Sequence, residues 1–207
     1  MFSADIYSNR RQRLKADIES GLILFLGNGD SPINAMDNCY AFRQDSSFLY
    51  FWGLGLPNLA AVIDVDADTE TVFGDDPSLD QVIWTGPQPS LSQRCRGVGV
   101  YRSAPSGQLA GIVGTAMQQQ RKVHFLPPYR MDQTVQIADL CGLPGNAVPG
   151  NVSTTLIHAV IRLRSVKSDA EVAQIEAALA INRDMQITAM QMARSPHSFQ
   201  ISFGLDA

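Results

Sequence analysis

The sequence predicts an α/β domain, a mixed β-sheet flanked by helices, continued by a long C-terminal helix. Three observations predict it. Short apolar runs separated by turn-forming residues open the chain, as hairpin-connected strands do. Apolar strands then alternate with helical patterns in the second half. Finally, Ser168 and Glu171 stand at the spacing of a reciprocal helix cap, ahead of about seven turns of recurring apolar residues. At 207 residues, 45% hydrophobic and 17% charged, the chain has enough apolar side chains for a sizeable core.

Each element has its own justification. Ser3 stands where it would cap a first helix with Ile6, Tyr7, Leu14 and Ile18 on one side, ending near Gly21. The basic run NRRQRLK, residues 9–15, reads as the solvated face of that helix. LILFL, residues 22–26, is a continuous apolar run bounded by glycines, as in a strand buried on both faces. Residues 27–38 are rich in turn formers and read as a loop. SFLYFWG (47–53) and NLAAVIDV (58–65) read as paired strands, with TETVF (69–73) a third strand across an acidic turn. VIWTG (82–86) reads as short and extended. Residues 107–120 are helical despite the two interior glycines, Gly111 and Gly114, and KVHFL (122–126) is a core strand stopped by Pro127 and Pro128. Asp132 is placed to cap a helix over 133–141 that Gly142 ends. Residues 151–164 are helical through Leu156, Ile157, Val160, Ile161 and Leu163. The last helix, from Ser168, carries an apolar stripe of Val172, Ile175, Leu179, Ile181, Met185, Ala189 and Met192.

Several functions are disfavoured by composition. A net charge of −4 without a dense Lys/Arg cluster argues against nucleic acid and anionic membrane. No segment approaches the ~18 apolar residues of a membrane span. Cys39, Cys95 and Cys141 are far apart and form no C-x-x-C pair, which points to reduced thiols in a cytoplasmic protein.

Motif tests mostly fail as well. GNGDSP follows a strand, but the third glycine of a dinucleotide fingerprint falls on Pro32. Asp64, Asp66 and Asp68 begin like a calcium loop, yet Thr69 stands where the sharp bend needs Gly and Asp75 where a Glu is needed. A solvated hairpin turn is the better reading. His124, His158 and His197 lack metal-ligand spacing, and His124 reads as a core residue. Asp30, Asp37, Asp45, Asp75 and Asp76 are the remaining candidates for a paired-carboxylate site, although nothing in their spacing demands one. From the residues alone the chain is a soluble α/β domain with a projecting helix.

A linear resemblance goes further. YAFRQDSSFLYFWG, residues 40–53, resembles the Y-P-F-R-Q-D-S-x-F-x-Y-L-T-G segment of the N-terminal domain of Xaa-Pro aminopeptidases, shared more distantly with prolidase and creatinase. RRQRL near the start, LPNLAAVID, VIWTGP and the junction IRLRSVKSDAEVAQIEAALAIN resemble further family segments in the same order, over residues 8–193. The resemblance implies a creatinase/prolidase N-terminal domain of ribonuclease H-like fold over residues 1–165. It implies a linker helix over 166–194 leading toward a catalytic domain, and marks 195–207 as an atypical tail. The family removes the N-terminal residue preceding proline, using two divalent metals, commonly manganese. Two Asp, one His and two Glu of a C-terminal pita-bread domain hold those metals around an activated water. The fourteen residues after Ala193 contain one His, one Asp and no Glu, so the expectation is a chain with no catalytic residue, metal or cofactor of its own.

The same resemblance assigns roles to residues. Trp84 matches the tryptophan of I-W-x-G, which in family members reaches the active site of a neighbouring subunit, so it is the candidate for substrate access. Arg43, Gln44, Asp45 and Ser46 are read as a structural corner. Arg43 is expected to pair with Asp45 or another carboxylate, and Gln44 to satisfy backbone groups at the start of a strand. The expected function is a non-catalytic domain contributing to oligomerisation and substrate access for proline-containing peptides. Its expected partner, through the helix from Ser168, is a second copy or a catalytic domain. The alternative is a stand-alone module that binds peptides or proteins, as related domains do in a histone-chaperone subunit. A third reading is an independent hydrolase built on the scattered aspartates.

Overall fold

The apolar run at residues 22–26 does form an interior strand, paired on both edges, because the helices on either side of it need a partner for both faces. In the computed structural model, residues 2–35 and 37–193 are described. The elements are α1 (Ala4–Ala16), β1 (Leu22–Leu26), β2 (Pro32–Ala35), β3 (Asn38–Cys39), α2 (Ser46–Trp52), β4 (Ala60–Asp64) and β5 (Thr69–Phe73). There follow α3 (Leu79–Thr85), α4 (Leu91–Arg96), β6 (Ser103–Ala104), α5 (Leu109–Gln118), β7 (Val123–His124), α6 (Met131–Cys141), α7 (Thr154–Ser165) and α8 (Asp169–Met192). Five strands form one mixed sheet in the order β6-β5-β4-β1-β7. β1 and β5 each run antiparallel to β4, whereas β7 lies parallel to β1 and β6 parallel to β5. Among the described residues, no helix is long and apolar enough to cross a membrane.

Alternation along the strands builds two cores. Ile23, Phe25, Ala61, Ile63 and Val72 point to one face, where Tyr7 and Leu14 of α1, the aromatics of α2, and Leu156 and Leu163 of α7 cover them. Leu22, Leu24, Ala60, Val62 and Phe73 point to the other, under Leu109 and Val113 of α5 and Ile137 and Cys141 of α6. The helices expected over 107–120 and 151–164 are therefore the ones that close the sandwich, with bounds at 109–118 and 154–165.

Residues 47–53 are not a strand. They form the helix α2, and the two ends explain why. The Asp45 carboxylate accepts from the N–H groups of Ser47 and Phe48 at 2.9 and 2.7 Å, and Gly53 closes the helix at φ +63°. Phe48, Phe51 and Trp52 are buried and Leu49 is exposed, a helical period that an unbroken aromatic run conceals. A Cβ on Gly53 would lie 2.3 Å from the Tyr7 ring, so α1 and α2 approach through this glycine.

Other segments depart from expectation in the same local way. VIWTG belongs to α3, which starts at a capping box of Ser78 and Gln81. The loop over 27–38 contains the β2–β3 hairpin. α1 ends at Ala16 rather than near Gly21, and the Ser3 side chain makes no cap hydrogen bond. α6 begins one residue before Asp132, whose carboxylate faces Arg130 and the Gln133 N–H instead of capping the helix. Gly142 ends α6 in the left-handed region, as the sequence suggests.

The largest departure is in α1. Arg10 and Arg11, read as part of a solvated face, are buried at 5% and 0% exposure. Arg11 donates from Nε to Glu70 Oε2 at 2.7 Å and from Nη1 to the Phe51 carbonyl at 2.9 Å. Its Nη2 reaches the carbonyls of Val98 and Gly99 at 3.2 and 3.1 Å. Arg10 donates to the Tyr50 carbonyl at 2.8 Å and lies 3.9 Å over the Tyr50 ring. Two adjacent arginines thus take up carbonyls of the last turn of α2, which have no intrahelical partner.

The chain divides into two compact units, Met1–Ser165 and Val166–Ala207. In the second, Ser168 and Glu171 form the expected capping box and α8 runs to Met192. None of its residues is buried. At 100° per residue, Val172 and Leu179 mark one edge and Ile181 and Met185 the other edge of a band that covers about half of the helix, a broad apolar stripe. The atypical tail over 195–207, with His197 and the Ser195-Pro196 pair, lies outside the described residues.

Candidate functional site

The RQDS motif sits where β1 leaves the sheet, and its four residues do four different things. Gln44 is 6% exposed and uses its whole amide. Its Oε1 accepts from the Asn28 and Asp45 N–H groups at 2.7 and 2.8 Å, and its Nε2 donates to the carbonyls of Leu54 and Leu56 at 3.3 and 2.8 Å. It therefore clamps the end of β1 to both flanks of a helix, not of a strand. Asp45 caps α2. Ser46 is the exposed first residue of α2, and the neighbouring Ser47 Oγ accepts from Arg164 at 3.2 Å. Arg43 lends only its backbone carbonyl, which accepts from Asn28 Nδ2 at 2.8 Å. Its exposed guanidinium has no ion-pair or hydrogen-bond partner among the described residues, so the expected pairing with a carboxylate does not form. The reason is that Asp45 faces the backbone of α2.

Around this corner gather residues that no spacing announces. Asn28, 6% exposed, bonds the Tyr129 hydroxyl at 3.0 Å and accepts from Gln133 Nε2 at 3.2 Å, across about a hundred residues of chain. Arg130 donates to Ser31 Oγ at 3.0 Å and to the Asp132 carboxylate, whose pKa it holds below the usual carboxylate value. Asn28, Ser31, Tyr40, Arg43, Tyr129 and Arg130 line a polar cleft of about 370 Å³. A second, more apolar cleft of about 300 Å³ adjoins it and shares Tyr129. Leu26, Pro127, Pro128, Ile137 and Gln133 line that one.

Trp84 lies elsewhere, on α3. It is 88% exposed, with Leu79 at 77% and Ile83 at 71%, and no residue of α3 is buried. The neck of this lobe is pinned by Asp76, which accepts from the Leu91 N–H at 2.6 Å, and by Asp75, which accepts from the Ser106 N–H at 3.1 Å. The hydrogen bonds from Ser106 hold the Asp75 carboxyl below its ordinary pKa.

The candidate carboxylates do not converge. Asp30, Asp37, Asp75 and Asp76 are exposed, and Asp45, Asp75 and Asp76 each accept from a backbone N–H. Asp64, at the end of β4, and Asp66, in the β4–β5 turn, bind Arg121. Burial works against the charged Asp64, but the hydrogen bonds from Arg121 prevail and its pKa lies below the usual value. Asp68 pairs with Lys15 at 2.7 Å. His158 is exposed. His124 is buried, with Nδ1 2.6 Å from Ser153 Oγ and Nε2 3.1 Å from the Ser20 carbonyl; burial lowers its pKa. Burial pushes the Cys95 thiol up to about 11 and raises that of Cys141, which leaves neither as a ready nucleophile. Among the described residues no three His, Cys, Asp or Glu side chains could hold a metal ion. Asp45, Asp64, Asp66, Asp68, Asp75, Asp76 and His124 are engaged by other partners, and Asp30, Asp37 and His158 join no such group, so these residues do not fit a pair of divalent cations.

Comparisons with known proteins agree with one another. A family model described as aminopeptidase P, N-terminal domain, matches residues 7–125. A protein of Metarhizium acridum named Probable Xaa-Pro aminopeptidase is 29% identical over 163 residues, 78% of this chain and 31% of its own length. A protein of the same name from Ajellomyces dermatitidis is 25% identical over 188 residues, 88% of this chain and 35% of its own. The chain thus spans about a third of the length of these relatives. Among solved structures, Pseudomonas aeruginosa aminopeptidase PepP superposes with a TM-score of 0.77 at 19% identity, over 93% of this chain and 45% of that one. Proline aminopeptidase P II from Yersinia pestis gives 0.65 at 19% identity, over 83% and 41%. At such identities the likeness is one of fold.

Proposed function

The chain belongs to the aminopeptidase P N-terminal domain family, and from that premise we propose that it is the non-catalytic domain of a Xaa-Pro aminopeptidase, which holds subunits together and shapes the approach of proline-containing peptides. The observation that carries this reading is the α3 lobe. A seven-residue helix has too few hydrogen bonds to persist alone. Here a capping box and a pinned neck hold it, yet its large apolar side chains take no part in the core. A built element that points Leu79, Ile83 and Trp84 outward is what a contact surface requires. An indole at its tip offers a flat apolar face to a substrate's proline ring.

Hydrolysis itself is assigned to a catalytic domain of the kind full-length members carry, with its two divalent metals, commonly manganese in the family, outside the described residues. In this reading α8 gives its exposed apolar residues, Val172, Ile175 and Leu179 among them, to that domain or to a second copy. Sedimentation that finds only monomer at high concentration would count against the second copy. Three cysteines outside any disulfide suit a reducing, cytoplasmic setting.

The test joins this chain to the catalytic domain of a relative and assays Xaa-Pro peptides with manganese. The joined protein is expected to turn over and the 207-residue chain is not. Trp84→Ala is expected to raise KM roughly tenfold with kcat nearly unchanged, the pattern of a lost binding contact. Chelator-sensitive turnover by the chain alone, or a KM indifferent to Trp84, would overturn the reading.

A further inference from the structure

The polar cleft at the end of β1 plays no part in the function proposed above. Its inward groups are already engaged. The Gln44 amide is fully used, and Asn28 is bonded to Arg43, Tyr129 and Gln133. Arg130 is held by Asp132 and Ser31. What remains available is the Arg43 guanidinium, whose five N–H donors meet no acceptor among the described residues. The nearby acids do not cancel it: Asp132 faces Arg130, and Asp45 faces the first N–H groups of α2. Asp30 is exposed on the loop beside Ser31 and limits the attraction without pairing with it.

The adjoining cleft supplies a second kind of contact. Leu26, Pro127, Pro128 and Ile137 make it apolar. Gln133, 6% exposed, also lines it. Its Nε2 is committed to Leu26, Gly27 and Asn28, whereas its Oε1 accepts no hydrogen bond from any described residue. An apolar wall with a free carbonyl acceptor suits a side chain attached to a backbone N–H. A single planar cation suits a carboxylate, which it grips through two parallel bonds. A phosphate dianion calls for more positive charge than this cleft offers.

We infer that the two clefts together bind the carboxyl-terminal residue of a peptide. Its free carboxylate lies on Arg43, its apolar side chain in the cleft beside Tyr129, and its amide N–H donates to Gln133 Oε1. The site is independent of any catalytic domain, so its test and that of the proposed function can fail separately.

The test is an NMR titration of the 207-residue chain with acetyl-Ala-Leu, as the free acid and as the C-terminal amide. The free acid is expected to shift the backbone signals of residues 28–31, 40–46 and 129–133 saturably. The amide is expected to bind at least about tenfold more weakly, the loss of one charge-assisted contact. Because the guanidinium is exposed and unpaired among the described residues, Arg43→Gln should keep the unfolding midpoint yet bind the acid no better than the amide. Arg43→Lys should retain part of the preference, and added salt should erode it. Equal binding of acid and amide, unchanged binding by Arg43→Gln, or no saturable shift at these residues would overturn the inference. Equally strong competition by inorganic phosphate would replace the peptide site with a simple anion site.

Discussion

Arg11→Met is expected to lower the free energy of unfolding by about 3–5 kcal/mol, the range for removing one member of a buried ion pair. Arg11 is fully buried and serves four acceptors: the Glu70 carboxylate and the carbonyls of Phe51, Val98 and Gly99. It also stands 5.0 Å from the centre of the Trp52 ring. Methionine fills much of the volume but leaves these oxygens without donors, and each such loss costs roughly 1–3 kcal/mol. The individual costs do not add fully. Lys15 stays 3.2 Å from the other Glu70 oxygen and takes up part of the stranded charge. Arg11→Lys should recover less than half of the loss, because one ammonium cannot reach acceptors arranged around a planar fork. The stated cost measures the broken arrangement and not the net worth of burying an arginine, which is itself unfavourable before its partners are counted. Denaturant unfolding with an unchanged slope is the measurement. A loss below about 1 kcal/mol would show that the pair is dispensable.

The second large effect is expected at Gln44. Gln44→Leu keeps the bulk of the side chain but removes one acceptor and two donor protons. Asn28 N–H, Asp45 N–H and the carbonyls of Leu54 and Leu56 then lose their partner together. Water can enter from the neighbouring cleft, so the expected loss is about 3 kcal/mol rather than the sum of four orphaned groups. Hydrogen exchange at Asn28 and Asp45 should accelerate beyond what the global loss explains, since the clamp is local. Gln44→Glu separates the two halves of the role. Its carboxylate can still accept from both N–H groups but cannot donate to the two carbonyls, so it should rescue little. Full stability in Gln44→Glu would mean that the carbonyl contacts carry no weight.

These two residues show how differently parts of the molecule were legible. β1 was readable because five apolar residues between glycines leave little choice but a doubly covered strand. The α8 capping box was readable because both partners lie within four residues. α2 was missed, although Asp45 before it and Gly53 after it are cap signals, because an aromatic run satisfies strand and helix preferences alike. α3 carries the same kind of capping box as α8, with Gln81 in place of Glu, and its shortness hid it. The family was legible because its motifs are linear.

Neighbours along the chain carry the information for periods, caps and motifs, so strand β1, the end of α6 and the family itself follow from the order of residues alone. Desolvation, in contrast, depends on what folding brings together from far away. Nothing in NRRQRLK says which arginines meet Glu70 and the carbonyls at 98 and 99, and nothing around Asn28 says that it meets Tyr129 and Gln133. Those outcomes rest on contacts 40 to about 100 residues apart, where burial makes each unpaired polar group expensive and thereby selects the partners.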